Sequence, residues 1–153
     1  MDKQSFTSKY LPAARMAGEL YGLNPVVILA QSAIETGWGE SALATRYNNF
    51  FGLTGYGVTN AYWHGGKTDL DKPDGLLFRR YDTPESSFLD FARLIATAYK
   101  QAAAVSHFPR AYAREIAYSR YISEINGDNR EAYCNMLERI AQSLIPIVYH
   151  LNK

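Results

Sequence analysis

The stretch Asn24 to Ser41 constrains this chain more than any other. Asn24 is a candidate N-cap and Pro25 suits the first helical position, after which Val26, Val27, Leu29, Ala30, Ala33 and Ile34 cover most of a helix circumference. A helix apolar on nearly every side needs protein all around it, so the rest of the chain has to wrap this one. Gly37 is the expected C-cap, which sets Glu35 in the last turn, at the negative end of the helix dipole. Dipole and burial both raise a carboxyl pKa there. A carboxyl group kept protonated near neutral pH can donate a proton to a leaving group, the demand that glycoside hydrolysis makes of its general acid. The same position also suits a carboxylate that pairs with or caps a helix end.

A chain of 153 residues, 47% of them hydrophobic, is long enough for one core and too short for two comfortable ones, so residues 1–153 read as a single domain. The net charge of +1 and the absence of a Lys/Arg run argue against a nucleic-acid partner. No apolar run is long enough to span a bilayer, and the first residues lack the apolar centre of a signal peptide. Cys134 is the only cysteine, which rules out an internal disulfide. Aromatic residues make up 14% of the chain, 12 of them Tyr and 2 Trp, a supply of flat faces that suits sugar stacking and ordinary cores alike.

Around the central helix the periodicity predicts a first helix over Ser8 to Leu23 that stops at Gly22, and a short helix over Glu40 to Arg46. Asn48, Asn49, Phe50, Phe51 and Gly52 then read as a tight turn against the core. Between about residues 54 and 81 glycines punctuate short aromatic and β-branched pieces, and Leu76 to Tyr81 reads as a strand: a small β hairpin or lobe. Asp82-Thr83-Pro84-Glu85 opens the next helix by capping box and N-terminal Pro, with Phe88, Phe91 and Leu94 or Ile95 on its buried stripe. A helix over Arg110 to Arg120 follows. Asn126-Gly127-Asp128-Asn129 breaks the chain, and Asp128 with Glu131 caps a last helix through Tyr133, Leu137, Ile140 and Leu144 that Pro146 kinks or ends. The class is α+β, mainly α.

Three stretches together resemble glycoside hydrolase family 73, the bacterial glucosaminidases that cut peptidoglycan glycan strands, including the enzymatic part of flagellar rod-assembly proteins. They are Ile28 to Ser41 with its Glu35-Thr36-Gly37-Trp38-Gly39 core, followed by Asn48 to Leu53, and Phe78 to Phe91 with its Phe78-Arg79-Arg80-Tyr81 start. The resemblance runs from about Tyr10 to Ile140. It implies a lysozyme-like helical domain with a small β lobe and a groove between them, and hydrolysis of the β-1,4 bond after N-acetylglucosamine with Glu35 as general acid.

In the family a second acid, usually Glu, precedes the Phe-Arg-x-Tyr strand. Here the segment 67–75 is shorter and carries only Asp, so Asp69 is the first candidate and Asp71 the next; both also read as solvated turn acids. The family's active-site tyrosine carries onto Tyr121, with Tyr118 as fallback, and either also reads as core; residues 125–130 look like an insertion. Trp63, in the Gly-rich lobe beside His64, is a candidate sugar platform exposed in the groove, Phe51 and Asn49 candidates for its floor, and Trp38 a further substrate-binding candidate assigned mainly to packing. Arg79 and Arg80 fall on opposite strand faces, solvated by default. His64, His107 and His150 lack the spacing of a zinc site, and no metal or cofactor is expected.

The resemblance implies peptidoglycan as substrate for a monomer acting in the periplasm or cell wall, reached by export, a secretion machine or phage delivery. The rivals are a lysozyme or lytic transglycosylase cutting after N-acetylmuramic acid, and a wall-binding module without turnover.

Overall fold

The structure, a computed structural model, describes residues 1–122 and 127–152, the side chains of residues 127 and 128 excepted. It is a helical body with a small lobe that is mostly loop, the α+β and lysozyme-like class that the sequence implies. The centre is helix α2 (Pro25–Thr36), whose Val27, Ile28, Leu29 and Ala30 are wholly buried. Asn24 caps it by accepting from the Val26 N–H, and Gly37 closes it in the left-handed region at φ 56°. Helices α1 (Lys3–Tyr21) and α7 (Gly127–Leu151) pack against α2, and α4 (Pro84–Ala98) packs against α1. This is the wrapping that an all-round apolar helix demands.

Helix α1 starts five residues before the predicted Ser8, because Asp2 caps it through the Ser5 N–H at 2.7 Å. The added turn brings Phe6 into the core and, with Tyr10, builds an aromatic cluster. Tyr10 lies 4.7 Å from Phe50, and Phe51 stacks on Phe91 at 4.0 Å and 9°. Much of the aromatic surplus is therefore core, not sugar platform. Gly18 is needed where the turn after α1 folds back, since a Cβ there would stand 2.5 Å from the Leu23 carbonyl oxygen.

Short helix α3 (Ala42–Tyr47) is capped by Ser41. The lobe's regular structure is a two-stranded antiparallel pair, β1 (Lys67–Thr68) with β2 (Phe78–Arg79), in the register Lys67 to Arg79. The strand expected over Leu76 to Tyr81 is thus reduced to its middle. Leu76 and Leu77 are exposed and have no apolar face to join, while Phe78 also bridges to Thr54. Thr83 caps α4 by accepting from the Ser86 N–H at 3.1 Å, and its hydroxyl donates to the Ser86 hydroxyl at 3.1 Å, with Glu85 taking no part.

Helices α5 (Lys100–Ala104) and α6 (Pro109–Ala117) follow. The sequence reading missed α5, and α6 ends before Arg120 because the Ser119 hydroxyl caps the Ile116 carbonyl at 2.7 Å. Helix α7 is already helical at Gly127 and runs through Pro146 to Leu151, with Leu144 and Val148 buried on either side of the proline. The proline does not end it. The Asn126 part of the expected break and the Asp128 cap lie outside the described residues. Cys134 is buried in α7.

Candidate active site

Glu35 sits in the last turn of α2, where the chain makes an unusual exit. Gly37, Trp38 and Gly39 are all left-handed, at φ 56°, 60° and 84°. Glycine adopts that region freely and tryptophan does not, so the turn needs outside support. The Thr36 hydroxyl donates to the Ser32 carbonyl at 2.7 Å and accepts from the Gly39 N–H at 2.8 Å, while Trp38 packs edge-on against Phe6 at 5.5 Å. Trp38 thus packs on α1, and the Glu-Thr-Gly-Trp-Gly motif presents Glu35 at the end of a buried helix.

The opposite wall comes from the loop after α3. Asn49 is wholly buried and committed to that loop: its amide donates to the carbonyls of Leu53 (3.0 Å) and Arg79 (2.9 Å), and its oxygen accepts from the Phe51 and Leu53 N–H groups. It shapes the groove by folding the loop and does not face it. Gly52 is left-handed at φ 66°, and a Cβ there would stand 3.2 Å from a Glu35 carboxylate oxygen.

Glu35, Phe51, Gly52, Leu94, Tyr99 and Tyr121 are among the residues lining a pocket of about 330 Å³. The Glu35 residue is exposed toward this pocket, yet protein surrounds it closely enough that burial raises its pKa. It makes no hydrogen bond or ion pair among the described residues. Tyr121 lines the same pocket; its hydroxyl is buried and also without a partner, and its ring stands edge-on to Phe91 and Tyr99. Burial pushes the Tyr121 and Tyr133 pKa values up, with the nearby Glu35 charge adding to the shift, so both phenols keep their protons. An acid with no internal partner, in a pocket whose wall includes an unpartnered phenol, can give a proton to a group bound there.

Sequence reasoning missed the polar group behind Glu35. Gln31, one turn earlier on α2, is wholly buried, accepts from the Tyr112 hydroxyl and donates to the Tyr133 hydroxyl at 3.4 Å. The signal available is a lone amide after the apolar run Val26 to Ala30, four residues before the candidate acid. Tyr99 and Arg120, which also line the pocket, had no local signal.

The other predicted residues lie elsewhere. Asp69 and Asp71 sit on the turn after β1 and do not line the Glu35 pocket. The Asp69 carboxylate accepts from the Asp71 N–H at 2.9 Å, and Asp71 faces Arg46 at 3.4 Å. Tyr118 is half exposed and bonded to Glu131. Trp63 does not stand in the groove: it is 1% exposed, its indole N–H donates to the Gly66 carbonyl at 2.8 Å, and the Arg79 guanidinium lies 4.1 Å over its ring. A buried ion pair draws it inward. Arg79 and Arg80 do take opposite faces, but Arg79 is buried and bonded to the wholly buried Asp90 at 2.7 Å, so it is not solvated. Asp90 also accepts from Tyr81 at 2.5 Å, Asn60 at 2.9 Å and Arg93 at 2.9 Å, fastening the lobe to α4. Among the described residues no cluster of three or more His, Cys, Asp or Glu could hold a metal ion. No helix there is long and apolar enough to cross a membrane.

The family described as mannosyl-glycoprotein endo-beta-N-acetylglucosaminidase, the glucosaminidase family, matches residues 11–145. A putative endo-beta-N-acetylglucosaminidase of Streptococcus pneumoniae is 43% identical over 61 residues, 40% of this chain and 9% of that protein. Peptidoglycan hydrolase FlgJ of Vibrio parahaemolyticus is 28% identical over 104 residues, 60% of this chain and 32% of that protein. The chain therefore spans well under half the length of these relatives. The glycoside hydrolase domain of Salmonella typhimurium FlgJ has the same fold, with a TM-score of 0.73 at 23% identity over 100% of this chain and 94% of that one.

Proposed function

Because the chain belongs to glycoside hydrolase family 73, the glucosaminidases, we propose that it hydrolyses the β-1,4 bond after N-acetylglucosamine in peptidoglycan, with Glu35 as general acid. The observation that carries this is the Glu35 carboxyl: presented into a pocket, without an internal partner, and held toward its protonated form by burial. Glu35 gives its proton to the glycosidic oxygen as the C1–O bond breaks, and an oxocarbenium-like centre develops at C1.

The second group is the substrate's own N-acetyl oxygen. It attacks C1 to form an oxazolinium ring, with the Tyr121 hydroxyl holding the acetamido group. Water then opens the ring, giving its proton to the Glu35 carboxylate. The orphaned Tyr121 hydroxyl favours this over a β-lobe base, since Asp71 faces Arg46 and Asp69 is used in its own turn. The anomeric configuration is then retained. Inversion would return the role to Asp69 or Asp71, acting through a water with the two carboxyls about 6.5–9.5 Å apart.

The chain works as one domain and a monomer, and its site of action lies with its substrate, outside the cytoplasmic membrane. The test is digestion of purified peptidoglycan by wild type and Glu35→Gln, with the released muropeptides reduced and weighed. N-acetylglucosamine reducing ends, lost in the variant, are expected. N-acetylmuramic or anhydro ends would make it a lysozyme or transglycosylase. Binding without release by a folded chain would make it a wall-binding module.

A further inference from the structure

The pocket at Glu35 does not end at its own wall. Tyr99 and Arg120 line it and also line a larger cleft of about 480 Å³ between the end of α4, helix α5 and the turn after α6. The two cavities differ in the charged side chains they gather. Beside Glu35 the lining mixes the apolar Phe51, Leu53 and Leu94 with Thr54, Tyr121 and the shared Arg120. In the neighbouring cleft it is charged and polar, with Lys100, Arg120, Glu115, Gln101 and Ser119. Lys100, Arg120 and Glu115 are exposed, and none forms an ion pair among the described residues. Two cations and a carboxylate gathered in a concave site, each without a partner of its own, match a ligand that carries both charges.

On the reading of the active site given above, the sugar that follows the cut N-acetylglucosamine is an N-acetylmuramic acid. Its lactyl group carries a short peptide with carboxylates and a free amine. We propose that this cleft seats that peptide, with Lys100 and Arg120 taking its carboxylates and Glu115 its ammonium. The cleft is then a specificity subsite that sets which strands are cut fastest, apart from the groove that holds the sugars.

The test compares kcat/KM on glycan strands bearing their peptides with kcat/KM on the same strands after an amidase has removed them. Wild type is expected to prefer the peptide-bearing strands by about three- to tenfold, the scale that one or two exposed charge pairs supply, and to lose the preference as salt rises. Lys100→Glu is expected to bring the ratio close to one, and Glu115→Lys to lower it for peptides with a free amine. A thermal melt checks that both variants remain folded. Equal rates on the two substrates for wild type, or a preference that survives in both variants, would overturn the proposal. If folded wild type cuts neither substrate, the hydrolase reading falls first and takes this inference with it.

Discussion

Glu35 and Asp90 are two carboxyl groups at the surface of one helical core, and the protein treats them in opposite ways. Asp90 is wholly buried and surrounded by donors. Burial pushes its pKa up, but the hydrogen bonds from Tyr81, Arg79 and Arg93 and the Arg79 charge outweigh that and hold it below its ordinary value. Glu35 is more open and has no donors, so burial is left unopposed and its pKa rises. Partners, and not burial alone, decide whether a carboxyl becomes an anchor or an acid. The same contrast runs through the tyrosines: Tyr81 spends its hydroxyl on Asp90, whereas the buried Tyr121 hydroxyl has no partner.

The sharpest way to break this comparison is to neutralise each carboxyl in turn. Glu35→Gln should lower kcat/KM on peptidoglycan by about 10²- to 10⁴-fold, the usual worth of a positioned general acid, with no loss in thermal midpoint. Asp90→Ala should do the reverse. It strands the buried Arg79 and should cost about 3–5 kcal/mol in urea unfolding, while the fraction that remains folded still cuts.

The tyrosines sharpen the contrast at smaller scale. Tyr81→Phe removes a hydrogen bond to a buried charge and should cost about 1.5–3 kcal/mol of stability. Tyr121→Phe removes an orphaned hydroxyl, so stability should hold or rise while kcat falls more than KM changes, which steady-state kinetics separate. Smallest is Gly52→Ala. The left-handed backbone costs about 1–2 kcal/mol, and the added methyl crowds the Glu35 carboxylate, so both the melt and kcat should drop.

The Glu35 half of the comparison was legible in the sequence because its determinants are local. Asn24 and Pro25 start the helix, Gly37 and the Thr36-to-Gly39 turn end it within a few residues of the acid, and Thr83-Pro84 opens α4 by the same kind of local signal. The Asp90 half was not legible. Its acid lies between the apolar Leu89 and Phe91 of a helix, and the Asn60 that donates to it is 30 positions away. Trp63 read as an exposed platform for the same reason: nothing near it in sequence announces that Arg79 will cover its ring. Gln31 and Tyr133 are 102 positions apart, so their pairing behind Glu35 emerges only from the packing of α7 on α2.

The two carboxyls also set opposite pH dependences. Asp90, depressed in the folded state, contributes stability that is present above the unfolded carboxylate range near about 3.9 and is lost as pH falls toward its folded value. Glu35, raised, contributes stability that is full below about 4.3 and is lost as pH rises through its folded value, and the same ionisation is expected to close the basic limb of the rate profile.

The most direct measurement is a carbon-13 NMR titration of the side-chain carboxyls, assigned with Glu35→Gln and Asp90→Asn and followed from pH 2 to 9 (about seven units, spanning the ordinary carboxylate values on both sides). The account predicts that Glu35 titrates above the ordinary glutamate range and Asp90 below the ordinary aspartate range in the same sample. Finding both at ordinary values, or Glu35 below Asp90, would contradict it.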